Sequence, residues 1–303
     1  MLTPFGKIAR KIRSAKGLRL LDVASELGVT SAFLSAVETG KKVLPQGFEE
    51  KVATAMSLAK DEISELRSAA DQTRQDVKVS NLEPEDRELV AIFARRFNEL
   101  PQEEVEDLKK RLFKEYKMSS SAFPFERRRG ALVKPRSVKQ IWKASETVRT
   151  VFANPDETAF PITEVLEFKL DKFDPDFCLD VCSVEDMGED EGMAVPGLNL
   201  IRIREDVYEK AWDGDGRSRF TLAHELGHYL LHADIGLARS ENSHDHPIYR
   251  DSEWQADTFA GGLLLPSEVL NKCRDADEAA EKCQTTYYAA EVMWDKYVDK
   301  GLL

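Results

Sequence analysis

The sequence predicts two folded parts of different class, an all-α amino-terminal helix-turn-helix domain and an α+β carboxy-terminal domain. Three observations lead there. Apolar residues in the first 60 positions recur only at helical spacing, interrupted by glycine and proline. From Ser137 onward, segments rich in β-formers are interleaved with helical ones. The charge is also divided. Residues 1–60 carry ten Lys/Arg and five acids, a net +5, which leaves −17 on the rest of this −12 chain. A basic head on an acidic body suggests two tasks, and 303 residues are enough for two cores.

Phe5, Ile8, Ala9 and Ile12 predict the first helix. Leu20–Leu27 predicts a second, stopped by Gly28. Thr30 can cap a third over Ser31–Glu38, ended by Gly40. Phe48, Val52, Ala55 and Met56 supply the face of a fourth after the Pro45–Gly47 break. Helix, glycine-containing turn, helix is the arrangement of a helix-turn-helix unit. This domain is assigned residues 1–70. Residues 71–136 read as a charged helical connector, with a helix start at Glu83–Asp86, followed by a linker over 118–136 that contains Arg127, Arg128 and Arg129. Residues 137–303 form the second domain. Its expected elements are a helix over 137–153, strands over Phe177–Cys182 and Leu198–Ile203, and a helix over 217–233. A polar loop over 239–252, a helix over Ser252–Leu265 stopped by Pro266, and a helical remainder follow.

A composition of 42% hydrophobic and 32% charged residues is that of a globular protein and excludes a disordered one. No apolar run approaches the ~18 residues of a membrane span. The start of the chain has no apolar secretory segment, so a cytoplasmic location is expected. Cys178, Cys182, Cys273 and Cys283 are expected to be free thiols.

The densest chemistry lies at His224-Glu225-Leu226-Gly227-His228. Residues four apart on a helix share one face, so both imidazoles can reach one tetrahedral Zn²⁺. Such an ion acidifies a water that it holds, and Glu225, next to the first ligand, can take the proton during attack on a carbonyl. Gly227 removes bulk beside the site, so another segment can approach. Phe220–Ala223 and Tyr229–Leu231 are largely apolar, as a buried helix requires. Glu253, 25 positions after His228 on the next helix, supplies a third ligand. Asp257, one turn later, can accept the second ring N–H of a ligating histidine. Two His plus one Glu with an open fourth position is a catalytic set rather than a structural one.

Three histidines remain. His232 continues the four-residue series, but each such step drifts about 40° around a helix, so it is read as a helix-end residue rather than a ligand. His244 and His246 fall in the polar loop. Either of them, or Tyr249, can border the cleft and stabilise an oxyanion, unless the loop simply faces solvent.

These residues carry a family resemblance. Arg217-x-Arg219-Phe220-Thr221-Leu222-Ala223-His224-Glu225-Leu226-Gly227-His228, followed by Glu253-x-x-Ala256-Asp257-x-Phe259-Ala260-x-x-Leu263-Leu264-Leu265-Pro266, resembles the ImmA/IrrE metallopeptidases over residues 137–303. The tail from Cys283 is similar to the closing helices of that family. The resemblance implies a zincin-like fold, His224, His228 and Glu253 as ligands, and Glu225 as base. It also implies zinc, with manganese the alternative, and a helix-turn-helix repressor as substrate, cut to release the genes it silences.

Residues 5–60 resemble a second family, the Xre/Cro-type DNA-binding domains. The carriers are Leu20-x-x-Val23-Ala24-x-x-Leu27-Gly28-Val29-Thr30-x-x-Phe33-Leu34-Ser35-x-x-Glu38-x-Gly40. The resemblance implies DNA contacts from Thr30, Ser31, Ala32 and Ser35, with Lys41 and Lys42 on phosphates. Family members commonly place Gln or Arg on the recognition helix, and bidentate base readout needs such side chains. Phosphate contacts alone carry little sequence information.

The resulting expectation is a zinc-dependent endopeptidase that cleaves an Xre-type repressor or antitoxin in a stress-response or mobile-element circuit. DNA binds through the amino-terminal domain, and oligomerisation is open. Two other readings compete: a DNA-binding regulator whose peptidase-like domain only senses, and an antitoxin-like protein that docks on a partner. The intact Glu225 speaks against the pure sensor.

Overall fold

The structure, a computed structural model, describes residues 2–74, 130–154, 157–232 and 246–303. The expected connector helices at 83–116 and the arginine run at 127–129 lie outside the described residues.

Helices α1 (Pro4–Ala15), α2 (Leu20–Leu27), α3 (Ser31–Glu38), α4 (Phe48–Ala55) and α5 (Lys60–Arg74) form the amino-terminal domain. Thr3 caps α1 by accepting the Gly6 N–H, and Pro4 opens the helix, where its missing N–H costs nothing. Gly28 ends α2 at φ 66°, a left-handed conformation that glycine adopts without strain. Thr30 then caps α3 by accepting from Phe33 N at 3.1 Å. The two helices meet at 104°, within the range of helix-turn-helix units. Phe5, Ala9, Val23, Leu34, Val37, Phe48, Val52 and Leu66 form the core beneath them. Helix α5 continues to Arg74, whose guanidinium pairs with Glu49 on α4. The expected boundary at residue 70 therefore falls inside a helix.

The second domain begins earlier than its sequence suggests. Residues 130–136 belong to it rather than to a linker: Leu132 bridges Asp251, Val133 N donates to Arg250 O at 2.8 Å, and Val133 is buried. Ser, Pro, Gly and basic content made this segment look solvated, but its backbone pairs with the start of a distant helix. Helix α6 (Val138–Phe152) follows, with a Ser137–Gln140 capping box. An irregular helical stretch over 162–172 leads to the sheet.

The sheet has strands β1 (Cys178–Cys182), β2 (Gly192–Val195) and β3 (Leu200–Arg204) in the order β1-β3-β2. β1 and β3 are parallel, whereas β2 and β3 are antiparallel. β2 is too short for its alternation to be read from sequence. β3 starts two residues later than expected, because Pro196–Leu198 form a turn and Asn199 sits at φ 49°. Helices α7 (Glu205–Trp212), α8 (Gly216–Leu231), α9 (Ser252–Leu264), α10 (Ser267–Leu270), α11 (Ala276–Cys283) and α12 (Tyr287–Val298) complete the α+β domain. α8 packs against α9, where Leu222, Ala223, Leu226, Phe259, Ala260 and Leu263 are buried. Among the described residues no single helix is long and apolar enough to cross a membrane, and the four cysteines are free thiols.

The two domains share a buried polar seam. The Glu167 carboxylate accepts from Arg13, from Leu20 N at 2.6 Å and from the Tyr208 hydroxyl at 2.6 Å. Arg13 also lies beside Glu38, which takes the Arg10 guanidinium at 2.9 Å. Burial and the Glu167 charge raise the Tyr208 phenol well above its ordinary value, so it remains a donor.

Removing the Phe259 ring, fully buried between α8 and α9, is expected to cost about 3–5 kcal/mol in Phe259→Ala. Denaturant unfolding measures this; a loss under ~1 kcal/mol would mean that the layer can collapse onto the void.

Candidate metal centre

The site is set by a close approach of two helices. A methyl group on Gly227 would lie 3.2 Å from both the Cα and the carbonyl oxygen of Ala256, and 3.1 Å from the Phe259 ring. Glycine therefore lets α9 come against the middle of α8, as its position in the HELGH segment suggested. α9 is started by Asp251, whose carboxylate accepts Trp254 N at 2.9 Å and Gly130 N at 2.8 Å. That start places Glu253 in the first turn, opposite the histidines.

His224 Nε2 and His228 Nε2 are 2.9 Å apart. Glu253 Oε2 lies 3.3 Å from the first, and Oε1 lies 3.4 Å from the second. Bonds of about 2.0–2.1 Å place tetrahedral donors roughly 3.3–3.4 Å apart; both carboxylate–imidazole separations match this and the imidazole pair is closer, so the three groups surround the place of one small divalent cation. His224, His228 and Glu253 are the cluster of this kind among the described residues. Its electrostatics agree. Burial pulls the His224 imidazole down, but hydrogen bonds and charges from Asp257 and Glu253 carry it well above its ordinary value. Glu253 is held below the usual carboxylate range. Burial opposes this, and the charge of His228 and hydrogen bonds from both imidazoles outweigh it. The cluster thus favours positive charge at its centre.

Each imidazole is also held from behind. Asp257 Oδ1 accepts the His224 Nδ1–H at 2.8 Å, leaving the Nε2 lone pair for a metal. His228 has a different support. Its Nδ1 lies 3.0 Å from His232 Nδ1, and His232 Nε2 lies 3.3 Å from Gln255 Oε1. The Gln255 amide N–H groups are taken by Lys134 O at 2.9 Å and Tyr249 O at 2.8 Å. With the amide oxygen thereby free to accept, the polarity of the chain is fixed: His228 donates to His232, which donates to Gln255. His232 is a helix-end residue, as read from the sequence, but it is 3% exposed and has a task that was missed. Burial first, and then the charge of His228, lowers it to about 3, so it stays neutral. The signal was the four-residue step itself, and Gln255 could not be recognised from sequence as the end of the chain.

Glu225 is 2% exposed and its Oε2 accepts the Ala194 N–H of β2 at 2.7 Å. Burial raises its carboxyl above the ordinary range, and Glu253 adds to this against the pull of the two imidazoles. Gly192, on the same strand, makes room for it: a methyl group there would lie 2.7 Å from Glu225 Cγ. Neither β2 nor Gly192 was legible as part of the site.

The remaining expected residues fall elsewhere. His244 lies outside the described residues. His246 is buried, with Nε2 3.1 Å from Asp251 Oδ2, so it braces the start of α9 instead of bordering the cleft. Tyr249 is about half exposed and contributes its carbonyl to Gln255. Of the residues assigned to DNA, Ser31, Ala32 and Ser35 are buried against the second domain rather than offered to solvent. Lys41 pairs with Asp180. Lys42 lies over the Phe33 ring at 5.0 Å, and Thr30, Lys41 and Lys42 keep exposed surface.

His232→Ala is expected to weaken metal binding by about 10–100-fold while the domain stays folded. Competition against a chromogenic chelator, run beside a thermal melt, measures both. Unchanged affinity would remove His232 from the site.

Residues 185–294 match the family model described as the IrrE N-terminal-like domain. Among curated proteins the chain is similar to metallopeptidase ImmA of Bacillus subtilis (strain 168), with 31% identity over 90 residues, 29% of this chain and 47% of ImmA. The chain spans about half the length of that relative. No solved structure matches it. Both matches fall on the domain that brings His224, His228 and Glu253 together, and that domain is similar to those of the ImmA/IrrE metallopeptidases.

Proposed function

We propose that this chain is a zinc-dependent endopeptidase and that its substrate is an Xre-type repressor or an antitoxin. The observation that carries the reading is the buried carboxylate of Glu225 beside three converging donors, two imidazoles and Glu253. Two neutral nitrogens and one carboxylate with an open fourth position are a zinc hydrolase's set. A pure sensor has no need of such a base.

Zinc held there supplies Lewis acidity to a water and to the scissile carbonyl. The residues of the chain do the rest. Asp257 and His232 fix the tautomers of the two ligands. Glu225, with its proton affinity raised by burial, takes the proton from water and passes it to the leaving amide nitrogen. β2 pairs only with β3 among the described residues, and its Ala194 N–H points to Glu225. An extended peptide can pair along that edge and present its carbonyl at the site. The DNA-binding reading of the amino-terminal domain places such a substrate nearby, since repressors occupy DNA.

The test is incubation of the purified chain with an Xre-type protein encoded beside it. One cut is expected, abolished by a chelator and restored by zinc. Glu225→Gln is expected to retain metal and lose about 10²–10⁴-fold in rate. A stable complex with an uncut partner would instead favour the antitoxin-like reading. Gly192→Ala is expected to displace Glu225 and lower kcat by up to about 100-fold, with metal content unchanged. Full activity in that variant would show that β2 can move away at no cost.

A further inference from the structure

The helix-turn-helix face of the amino-terminal domain is occupied by its own catalytic domain. Ser35 Oγ donates to Asp180 Oδ1 at 3.2 Å and accepts Val181 N at 3.0 Å, both on β1. Ser31 Oγ donates to Glu209 Oε1 at 3.2 Å, and Ala32 N to Glu205 Oε1 at 3.0 Å, both on α7. Lys41 reaches Asp180 and the Cys182 sulfur. At the start of α2, Leu20 N donates to Glu167, and Arg19 lies over the Trp212 ring at 5.2 Å.

The chemistry of these contacts is that of phosphate binding. The first turn of a helix presents unpaired N–H groups and the positive end of the dipole, and it attracts anions. Here two such ends, on α2 and α3, each take a carboxylate from the other domain. The lysine just beyond α3 takes a third. Helix N-termini and lysines are what a DNA-binding module sets against the backbone of a duplex. Ser35 is fully buried and Ser31 is 2% exposed, so no groove wall can reach them in this arrangement.

We infer that Glu167, Asp180 and Glu205 of the catalytic domain stand in for DNA phosphates on the α2–α3 face, so that this domain and duplex DNA compete for one surface. The inference rests on the Xre-like reading of the amino-terminal domain. DNA binding and the closed arrangement are mutually exclusive, because α3 cannot lie on β1 and in a major groove at once. A chain on DNA is then an opened chain, and the carboxylates set how readily it opens.

The test uses the full chain, with fluorescence anisotropy on a labelled mixed-sequence duplex at low salt and amide exchange of α3 as the report of opening. Asp180→Asn combined with Glu205→Gln leaves the metal centre untouched and adds no positive charge. The pair is expected to speed exchange in α3 and to tighten duplex binding at least about tenfold, with a steep salt dependence. Adding Lys41→Glu is expected to abolish the gain, which locates the DNA on this face. Should the pair fold poorly, Glu205→Lys alone tests the same contact, again judged with Lys41→Glu. Faster α3 exchange without tighter binding overturns the proposal together with the DNA reading. Wild-type binding as tight as that of the variant, with α3 still protected, overturns the competition and leaves DNA binding standing on another face. Unchanged exchange in the variants overturns the role of the carboxylates.

Discussion

The contact on which the rest of the second domain depends is the passage of α9 over Gly227 of α8. A side chain there would meet the backbone of Ala256 at 3.2 Å. Without that approach, Glu253 and Asp257 would stand farther from His224 and His228 than a shared ion or a hydrogen bond allows. The cost of a mid-helix glycine, about 1 kcal/mol of helix propensity, is offset by the Ala256, Phe259 and Ala260 layer that the approach seals. The irregular start of α9 serves the same geometry. Asp251 gathers the N–H groups of Gly130 and Trp254 and faces His246, so three separate segments set where the helix begins.

Around that contact the site is built outward, and its two histidines are supported unequally. His224 is backed by a charged carboxylate that is about half exposed, whereas His228 is backed by a buried neutral imidazole and an amide. A charged partner raises ligand basicity more than a neutral one does. The two imidazoles are therefore not equivalent donors despite their shared motif. Glu225 is kept apart from both supports. It is reached from the sheet, by Ala194 N–H, and its protonation is governed by burial rather than by a salt bridge. The same helix thus carries the two imidazoles of the cluster and the buried Glu225 carboxylate in separate environments, as the proposed acid–base chemistry beside a cation would require.

The amino-terminal domain shows how the starts of α2 and α3 are taken up by the domain that packs on them. Glu38 pairs with Arg10 inside the domain, and Arg13 turns outward to Glu167. Glu167 accepts from three donors in the seam, while Arg13 Nε stays without a hydrogen bond, 3.8 Å from the Glu38 carboxylate. A join made of charge-assisted hydrogen bonds is specific in register. The basic head and acidic body of the sequence meet here as complementary surfaces.

The sequence by itself determined four of the five helices of the first domain, the capped turn between α2 and α3, and most elements of the second. It did so because caps, glycine stops and apolar periodicity are local signals. It also determined the metal set, since four-residue spacing on a helix fixes where two imidazoles point, and a nearby acidic segment limits the third ligand. What it could not contain were relations between distant segments. Residues 130–136 looked like a linker until their backbone paired with Asp251. β2, His232 with Gln255, and Gly192 under Glu225 entered the site only through tertiary packing. Above all, Ser31, Ala32 and Ser35 kept the spacing of a DNA-reading helix, and only the folded chain decided that β1 and α7 lie against them. Helical spacing sets which side chains share a face; the partner of that face is chosen by the complementarity of surfaces far apart in the chain.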